Sequence, residues 1–338
     1  MKLVIRLTAV LLTIAAVGLQ AQELRTDHPD EYVVQRGDTL WDISGRFLTD
    51  PWLWPEIWHV NEQVANPHLI YPGDRLRLVY VDGRPQIVVD RGVVKLGPAV
   101  RSLSHQDAIS AIPLDDIDSF FSRTRVVSQG ELDDAPYMVS GSEARLLVTA
   151  GDTVYARGTF QDNVRMYQIY QLGDKYIDPE TEEVLGVRAD AKGLARYQST
   201  NGEITALGLE ESYREISVGD LFLPLSQEAL DPEIFPTIPT MEIDGRIIYV
   251  EDGVQNAGQF DVVAINRGYE QGLSVGHLLG ILQKGEVVRD RIAGDKVELP
   301  PEQAGLLMII KTEERMSFGL ILESLRPLSV GDSVSHEF

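Results

Sequence analysis

The sequence predicts a multidomain protein in which a small α+β module of order β-α-α-β precedes mostly-β domains, built as small barrels or sandwiches. Two observations lead to this fold class. Between Tyr32 and Tyr80, a β-branched run is followed by helical periodicity and then by an alternating strand. After residue 85, short β-branched segments bounded by Gly, Asp or Pro follow one another with almost no helical periodicity.

The first 21 residues have the pattern of a secretory signal peptide. Lys2 and Arg6 precede an uncharged, mostly apolar run from Leu7 to Leu19, which is shorter than the roughly 20 residues that a membrane-spanning helix needs. The sequence has no second run of that kind and no cysteine. We therefore expect cleavage near Ala21, export to the periplasm, no transmembrane segment after cleavage, and a fold without disulfides.

The chain is strongly acidic, with a formal net charge of −22. Residues 86–338 carry most of this charge, because they hold 22 Lys and Arg against 41 Asp and Glu. Such a surface repels phosphate backbones. We therefore expect no nucleic acid among the partners.

The segment "YVVQRGDTLWDISGRF" predicts the first strand, a glycine turn and an amphipathic helix. Thr39 and Asp42 approximate a capping box, and Leu40, Ile43 and Phe47 recur at helical spacing. These signals place the start of the first helix just after Thr39.

The second helix and the last strand follow within 35 residues. Pro51 opens a turn, and Pro55 cannot donate a hydrogen bond within a helix that already runs from Pro51, so the second helix is expected to start near Pro55. In "RLRLVY", Leu76 and Leu78 alternate with arginines, as in a half-buried strand.

All four tryptophans lie between residues 41 and 58. Trp41 and Trp58 occupy core-like helical positions, and a small domain without disulfides needs bulky side chains to bury. Trp52 and Trp54 lie in the turn between the helices, where stacking on a sugar or another domain and capping of the core both remain open.

The element order, the "GDTL" after the first strand and the "IYPGDRL" before the last strand resemble the LysM module over residues 32–80. The resemblance implies binding of N-acetylated glycans, chiefly peptidoglycan, in a shallow groove between two loops. An N-acetyl group offers one donor, one acceptor and a methyl group, which loop backbone and a small apolar notch can satisfy. The implied contact residues are Gly37, Asp38, Thr39 and Leu40 on one side, and Asn66, Pro67, His68, Leu69 and Ile70 on the other.

The remainder predicts a middle β-rich domain at 86–225, a Pro-rich linker at 226–241 and a C-terminal β domain at 242–338. The linker assignment rests on Pro232, Pro236 and Pro239 in a segment without periodicity. The repeated strings "ISVGDL", "LSVGHL" and "LSVGDSV" are each typical of a turn that leads into a strand.

Signals for catalysis or for a cofactor are weak, and we expect neither an enzyme, a metal nor a cofactor. "GLSVG" matches the nucleophile-elbow pattern around Ser274 in letters only, because strand-like residues follow where a helix is required. The six histidines lack metal-ligand spacing. The acidic run "DPETEE", residues 178–183, lacks the central glycine of a calcium loop and is predicted as a solvated hairpin tip.

The order of the whole chain, with "LTDPWLWPEIWHVNEQVANPHLIYPGDRL" before "IPLDDIDSFFSRTRVVSQGELDDAPYMVSG", resembles the LysM proteins known as type IV pilus secretin-associated proteins. In that family the C-terminal part is related to the C-terminal domain of the flagellar assembly protein T, which here would fall on residues 250–282. The resemblance implies a non-enzymatic periplasmic protein that anchors an outer-membrane secretin ring, or another envelope protein, to peptidoglycan. The alternative is an adaptor that recruits or regulates peptidoglycan hydrolases, and a wall-acting enzyme comes third.

Overall fold

A computed structural model describes residues 24–58, 70–81, 83–90, 123–142, 148–225, 234–251, 256–285 and 287–337. The predicted signal peptide, the helical pattern "LDDIDSFF" and residues Asn66 to Leu69 of the implied glycan groove therefore lie outside the described residues. The chain divides into two compact units, residues 1–109 and 110–338.

The N-terminal unit is an antiparallel three-stranded sheet with two short helices. Its elements are β1 (Glu31–Val33), α1 (Leu40–Phe47), a 3₁₀ turn (Pro51–Leu53), α2 (Trp54–Ile57), β2 (Arg75–Val81) and β3 (Arg84–Asp90). The sheet order is β1-β2-β3. The β-α-α-β order predicted from the sequence is confirmed, and β3 continues the sheet beyond residue 80.

The core of this unit is formed by large apolar side chains from both helices and from β2 and β3. Ile43 and Phe47 of α1, Ile57 of α2, Leu76 of β2 and Ile87 of β3 are each completely buried. Burial of one such side chain contributes about 1.5–3 kcal/mol. Because β3 supplies Ile87 and pairs with β2 along its whole length, it belongs physically to this module.

The second unit begins with a seven-stranded antiparallel sheet. Its elements are β4 (Thr124–Val127), α3 (Gln129–Asp134), β5 (Tyr137–Gly141), β6 (Thr153–Arg157), β7 (Met166–Ile177), β8 (Val184–Asn201), β9 (Ile204–Ser212) and β10 (Leu221–Pro224). The strand order is β4-β8-β7-β10-β5-β6-β9, and β9 also pairs with β8. The sheet therefore closes on itself through β8, around a core that includes Tyr167 and Phe222.

A closed six-stranded barrel follows, with the order β11-β13-β18-β17-β14-β20. Its barrel strands are β11 (Asp244–Val250), β13 (Val262–Ile265), β14 (Leu278–Gln283), β17 (Glu302–Thr312), β18 (Ser317–Ser324) and β20 (Ser333–Ser335). Two small antiparallel pairs accompany it: β12 (Asn256–Ala257) with β19 (Leu328–Ser329), and β15 (Val287–Arg289) with β16 (Lys296–Glu298). The mostly-β prediction for the remainder is confirmed.

The described part of the Pro-rich segment lies against the barrel. The backbone N–H of Thr237 donates to the carbonyl of Gly276, and Leu278 N–H donates to the Thr237 carbonyl. Ile234 is buried. Residues 234–241 therefore contribute main-chain hydrogen bonds to the barrel and are not a free spacer.

A buried polar network joins the seven-stranded sheet to the barrel. Glu251, at the end of β11, accepts hydrogen bonds from the Tyr176 hydroxyl (2.8 Å) and the Arg188 guanidinium (2.9 Å). Arg188 also donates to Asp190 at 2.9 Å. Burial and the neighbouring Glu251 charge raise the pKa of Tyr176 far above its ordinary value, so its hydroxyl remains a donor.

The acidic run at 178–183 forms the tip of the β7–β8 hairpin, as predicted, but it is not simply solvated. Asp178 is buried and accepts a hydrogen bond from the Asn266 amide. Burial would raise the pKa of Asp178, but hydrogen bonds from the Glu180 backbone and from Asn266 lower it on balance. The tip also pairs with three arginines of the barrel, Arg246, Arg267 and Arg315.

Candidate glycan-binding site

The first side of the implied groove is a tight turn at residues 35–38. The Asp38 N–H donates to the Gln35 carbonyl (3.3 Å), and the Asp38 carboxylate accepts the Gln35 N–H (2.7 Å). Gly37 has a φ of +93°, a left-handed conformation that favours glycine at the third position of a type II turn. The same carboxylate accepts a hydrogen bond from the Tyr32 hydroxyl at 2.8 Å.

Seven turns of the described chain share this arrangement, in which the fourth residue's side chain accepts the first residue's N–H and the third residue has a positive φ. They start at Gln35, Tyr71, Thr149, Ser217, Gly258, Ser274 and Ser329. The fourth residue is Asp in six of them and His277 in the other. The three "SVG" strings are members of this set, and each leads into a strand. The prediction that each string forms a turn before a strand is therefore confirmed.

Thr39 and Leu40 also have structural roles through their side chains. The Thr39 hydroxyl accepts the Asp42 N–H, and the Asp42 carboxylate accepts the Thr39 N–H, which completes the predicted capping box. Leu40 is 3% exposed and packs in the core. Neither side chain is therefore free to act as a strong ligand contact.

The other side of the groove is described only at Ile70, which is completely buried. Asp38, Thr39, Leu40 and Ile70 thus all serve the fold with their side chains. Contact with a glycan at these positions has to come from the main chain or from the open surface beside Gly37. A Cβ added at Gly37 would meet no atom within 4 Å.

Main-chain donors are available at the turn. Within the described residues, the N–H groups of Arg36 and Gly37 form no hydrogen bond with the protein. Both residues are exposed. Two such donors beside a glycine surface can satisfy the carbonyl of an N-acetyl group, since a carbonyl oxygen has two lone pairs.

The tryptophans divide into three core residues and one partly exposed residue. Trp41, Trp54 and Trp58 are 6%, 1% and 5% exposed, which confirms the core assignment of Trp41 and Trp58 and resolves Trp54 as core. Trp52 is half-buried and stacks on Trp41, with ring centroids 6.4 Å apart and an interplanar angle of 28°. Trp52 is therefore the one tryptophan with an indole surface open to a ligand.

Tyr32 and Arg46 support the turn, although no local sequence pattern marks them. Arg46, in the last turn of α1, lies over the Tyr32 ring at 4.7 Å from its centroid. Burial, followed by the hydrogen bond to Asp38 and its charge, raises the pKa of Tyr32. The ring is thus fixed between the helix and the turn, and its proton stays on the hydroxyl that Asp38 accepts.

The surroundings of Ser274 are those of a turn and not of a nucleophile elbow. Ser274 occupies a turn followed by β14 rather than a helix, and the His277 ring accepts the Ser274 backbone N–H. The described residues contain no group of three or more His, Cys, Asp or Glu side chains arranged to hold a metal ion. Within the same residues, no helix has the length and apolar character needed to cross a membrane.

Comparison with known proteins identifies the N-terminal module. Residues 32–79 match the LysM domain family. The uncharacterized protein YqbP of Bacillus subtilis (strain 168) is 38% identical over 60 residues, covering 15% of this chain and 27% of that protein. The matched segment therefore spans only about a quarter of the length of that relative. Residues 32–79 are a LysM domain, which supports binding to peptidoglycan or a related carbohydrate.

Proposed function

We propose that the protein is a non-enzymatic periplasmic tether that binds peptidoglycan through its LysM domain. The observation that carries this proposal is the LysM domain itself, with an exposed turn whose main-chain donors face solvent at Arg36 and Gly37. The glycan N-acetyl groups bind beside this turn. The side chains of Asp38 and Thr39 hold the turn and the helix start in place.

A pair of matched glycine variants tests the location of the groove. Gly37 and Gly73 have φ values of +93° and +96°, lie in turns of the same type, and would each place a new methyl group in open space. Gly37→Ala and Gly73→Ala therefore carry the same backbone penalty, about 1–2 kcal/mol. Part of it is offset by the lower entropy of the unfolded chain.

Retention on purified peptidoglycan sacculi is expected to fall about tenfold for Gly37→Ala, because a misplaced methyl at a close contact costs about 1–3 kcal/mol. Gly73→Ala is expected to bind like the unaltered protein. Tryptophan fluorescence tests whether both variants remain folded, since all four tryptophans lie in this module. Equal retention of Gly37→Ala and the unaltered protein would exclude a groove beside residues 35–38.

A single LysM domain is a weak anchor. A shallow groove that contacts a few sugars yields dissociation constants of about 1 µM to 1 mM after the costs of association. Linking several copies makes the later contacts intramolecular and raises avidity by about 10²- to 10⁴-fold. We therefore assign the second unit, residues 110–338, to holding a multimeric envelope partner, of which an outer-membrane secretin ring is the leading candidate.

Envelope cross-linking separates the tether from the adaptor. Cross-linked envelopes are expected to yield a ring-forming outer-membrane protein with the tagged chain. Recovery of peptidoglycan hydrolases in its place would favour the adaptor. Release of soluble muropeptides from sacculi by the purified protein, measured by chromatography, would establish an enzyme and contradict the proposal.

A further inference from the structure

A pocket of about 380 Å³ opens at one end of the seven-stranded sheet, in the second unit. It lies between the loop that joins β6 to β7 and the hairpin of β8 and β9. Its volume falls within the range of small-molecule sites, about 300–1,000 Å³. It is remote in sequence from the LysM domain, and its lining residues have no role in the proposed glycan groove.

The loop that forms one wall of the pocket is held in place from inside the core. The hydroxyl of buried Tyr167 accepts the Gln161 N–H (2.9 Å) and donates to the Gln161 carbonyl (3.3 Å). Phe160 packs edge-on against Tyr167, with centroids 5.0 Å apart, and also contacts Phe222. The wall is thus preorganised, which lowers the entropic cost of binding a ligand.

A chain of three hydroxyl groups lines the floor. The Tyr197 hydroxyl lies 3.0 Å from Thr200 Oγ1, which lies 2.9 Å from Thr205 Oγ1. Thr205 is 2% exposed. Since each hydroxyl has one donor and two acceptor positions, the chain satisfies itself only in part and retains acceptor capacity for a ligand.

The rim of the pocket carries one cation and one anion. Arg165 lies over the Tyr197 ring, 5.5 Å from its centroid, and Asp162 lines the same pocket. Both residues are exposed, and neither forms an ion pair with another charged residue in the described ranges. A ligand with one carboxylate and one ammonium group matches both charges, whereas a simple anion or cation leaves one charge unmatched.

The aromatic groups argue against a neutral sugar in this pocket. Arg165 covers one face of Tyr197, which leaves at most one face of this ring for stacking on a sugar. Phe160 is turned into the core against Tyr167 and Phe222. The groups offered to a ligand are therefore charges and hydroxyls.

The geometry points to a binding site for a zwitterionic amino-acid end group, with the carboxylate on Arg165, the ammonium group on Asp162 and remaining polar groups on the hydroxyl chain. Two sources carry this chemistry: a free amino acid, and a wall peptide whose diamino acid keeps one amino-acid end free. Only the second source rests on the proposed function.

Calorimetric titration of the full mature chain tests the site. The probes are free diaminopimelate, L-alanine and a purified disaccharide peptide that contains diaminopimelate, with propionate as a carboxylate without an ammonium group. Binding is expected in the range of about 10 µM to 1 mM for at least one zwitterionic probe. Tighter binding of the disaccharide peptide than of free diaminopimelate would identify the wall as the source, and the reverse would identify the free amino acid.

Three variants assign the contacts. Arg165→Gln and Asp162→Asn are each expected to weaken zwitterion binding at least tenfold, because each removes one charge at constant shape. Thr205→Val is expected to weaken it several-fold. Arg157→Gln, an exposed arginine of β6 outside the pocket that pairs with Glu203, is the control and should bind normally.

Absence of binding by every zwitterionic probe at 10 mM, which is about the weak limit for ligands of this size, would overturn the inference. So would equal affinity for propionate, or unchanged affinity in Arg165→Gln. Failure of the glycan proposal is separate, because it is measured as sacculus retention of Gly37→Ala with an intact pocket.

Discussion

Replacement of Glu251 by alanine is expected to destabilise the second unit selectively. The Glu251 side chain is 3% exposed and that of Arg188 is 15% exposed. Glu251→Ala leaves the Tyr176 hydroxyl buried without its acceptor, at about 1–3 kcal/mol. Arg188 loses one carboxylate but keeps Asp190, so its contribution stays below the 3–5 kcal/mol that removal of a sole buried partner costs. We expect a total loss of about 3 kcal/mol.

The distribution of tryptophan makes this loss measurable in one unit at a time. All four tryptophans lie at residues 41–58, so their fluorescence reports only on the LysM unit. Nine of the twelve tyrosines lie in the second unit, where Tyr176 and Tyr249 pack edge to face. A change in near-ultraviolet circular dichroism that is not accompanied by a change in tryptophan fluorescence therefore reports on the second unit. In urea, the tyrosine transition should move to lower concentration, while the tryptophan transition should not.

A double-mutant cycle isolates the hydrogen bond from the change in side-chain volume. Tyr176→Phe removes the donor and Glu251→Met removes the acceptor at similar side-chain length, and groups that share one network couple by about 0.5–3 kcal/mol. A coupling energy near zero, or a shift of the tryptophan transition as large as that of the tyrosine transition, would refute the assignment of this network to the sheet–barrel interface.

Three further predictions concern single contacts. His277→Asp should remove the loss of stability that His277 causes as the pH falls below about 6.5, measured by thermal unfolding. Burial lowers the pKa of His277, so the unfolded chain takes up the proton first and acidification favours unfolding. The hydrogen bond from Arg315 lowers the pKa of Glu183, so this stabilisation is present above pH 4.5 and is lost as pH falls through the folded value. Arg315→Gln should move the NMR titration of Glu183 upward. Trp52→Ala should weaken sacculus retention several-fold, whereas Tyr80→Ala, an exposed aromatic control in the same module, should not.

Local sequence signals predicted the start of the LysM module because the contacts that form it join residues close together in the sequence. The capping box of Thr39 and Asp42 and the helical spacing of Ile43 and Phe47 lie within nine residues, and the structure contains both. The last strand of the module, β3, could not be predicted from local sequence signals. Pairing of β3 with β2 depends on the hairpin turn and on burial of Ile87, and neither follows from the pattern of "QIVVD" alone.

Contacts between distant segments explain what sequence reasoning missed in the second unit. The acidic run at 178–183 is predicted as a solvated hairpin tip because it lacks the central glycine and the ligand spacing of a calcium loop. Its partners in the barrel follow far along the chain: Arg315 lies 132 positions after Glu183. The pocket beside Arg165 depends likewise on a Tyr167 hydroxyl that turns back onto Gln161, and the sequence carries no motif for that contact.

Comparison of the seven related turns shows which role Gly37 and Asp38 have in the LysM domain. Asp38 makes the same hydrogen bonds as Asp152 and Asp332, which belong to the second unit, outside the LysM domain. Asp38 is therefore explained by the turn alone, and its substitution would disturb the fold whether or not a glycan binds there. What distinguishes the turn at residues 35–38 is its environment: exposed donors at Arg36 and Gly37, placed directly before a capped helix. A ligand contact at this turn must accordingly be probed by adding a group to its surface, as in Gly37→Ala, rather than by removing the carboxylate that holds it together.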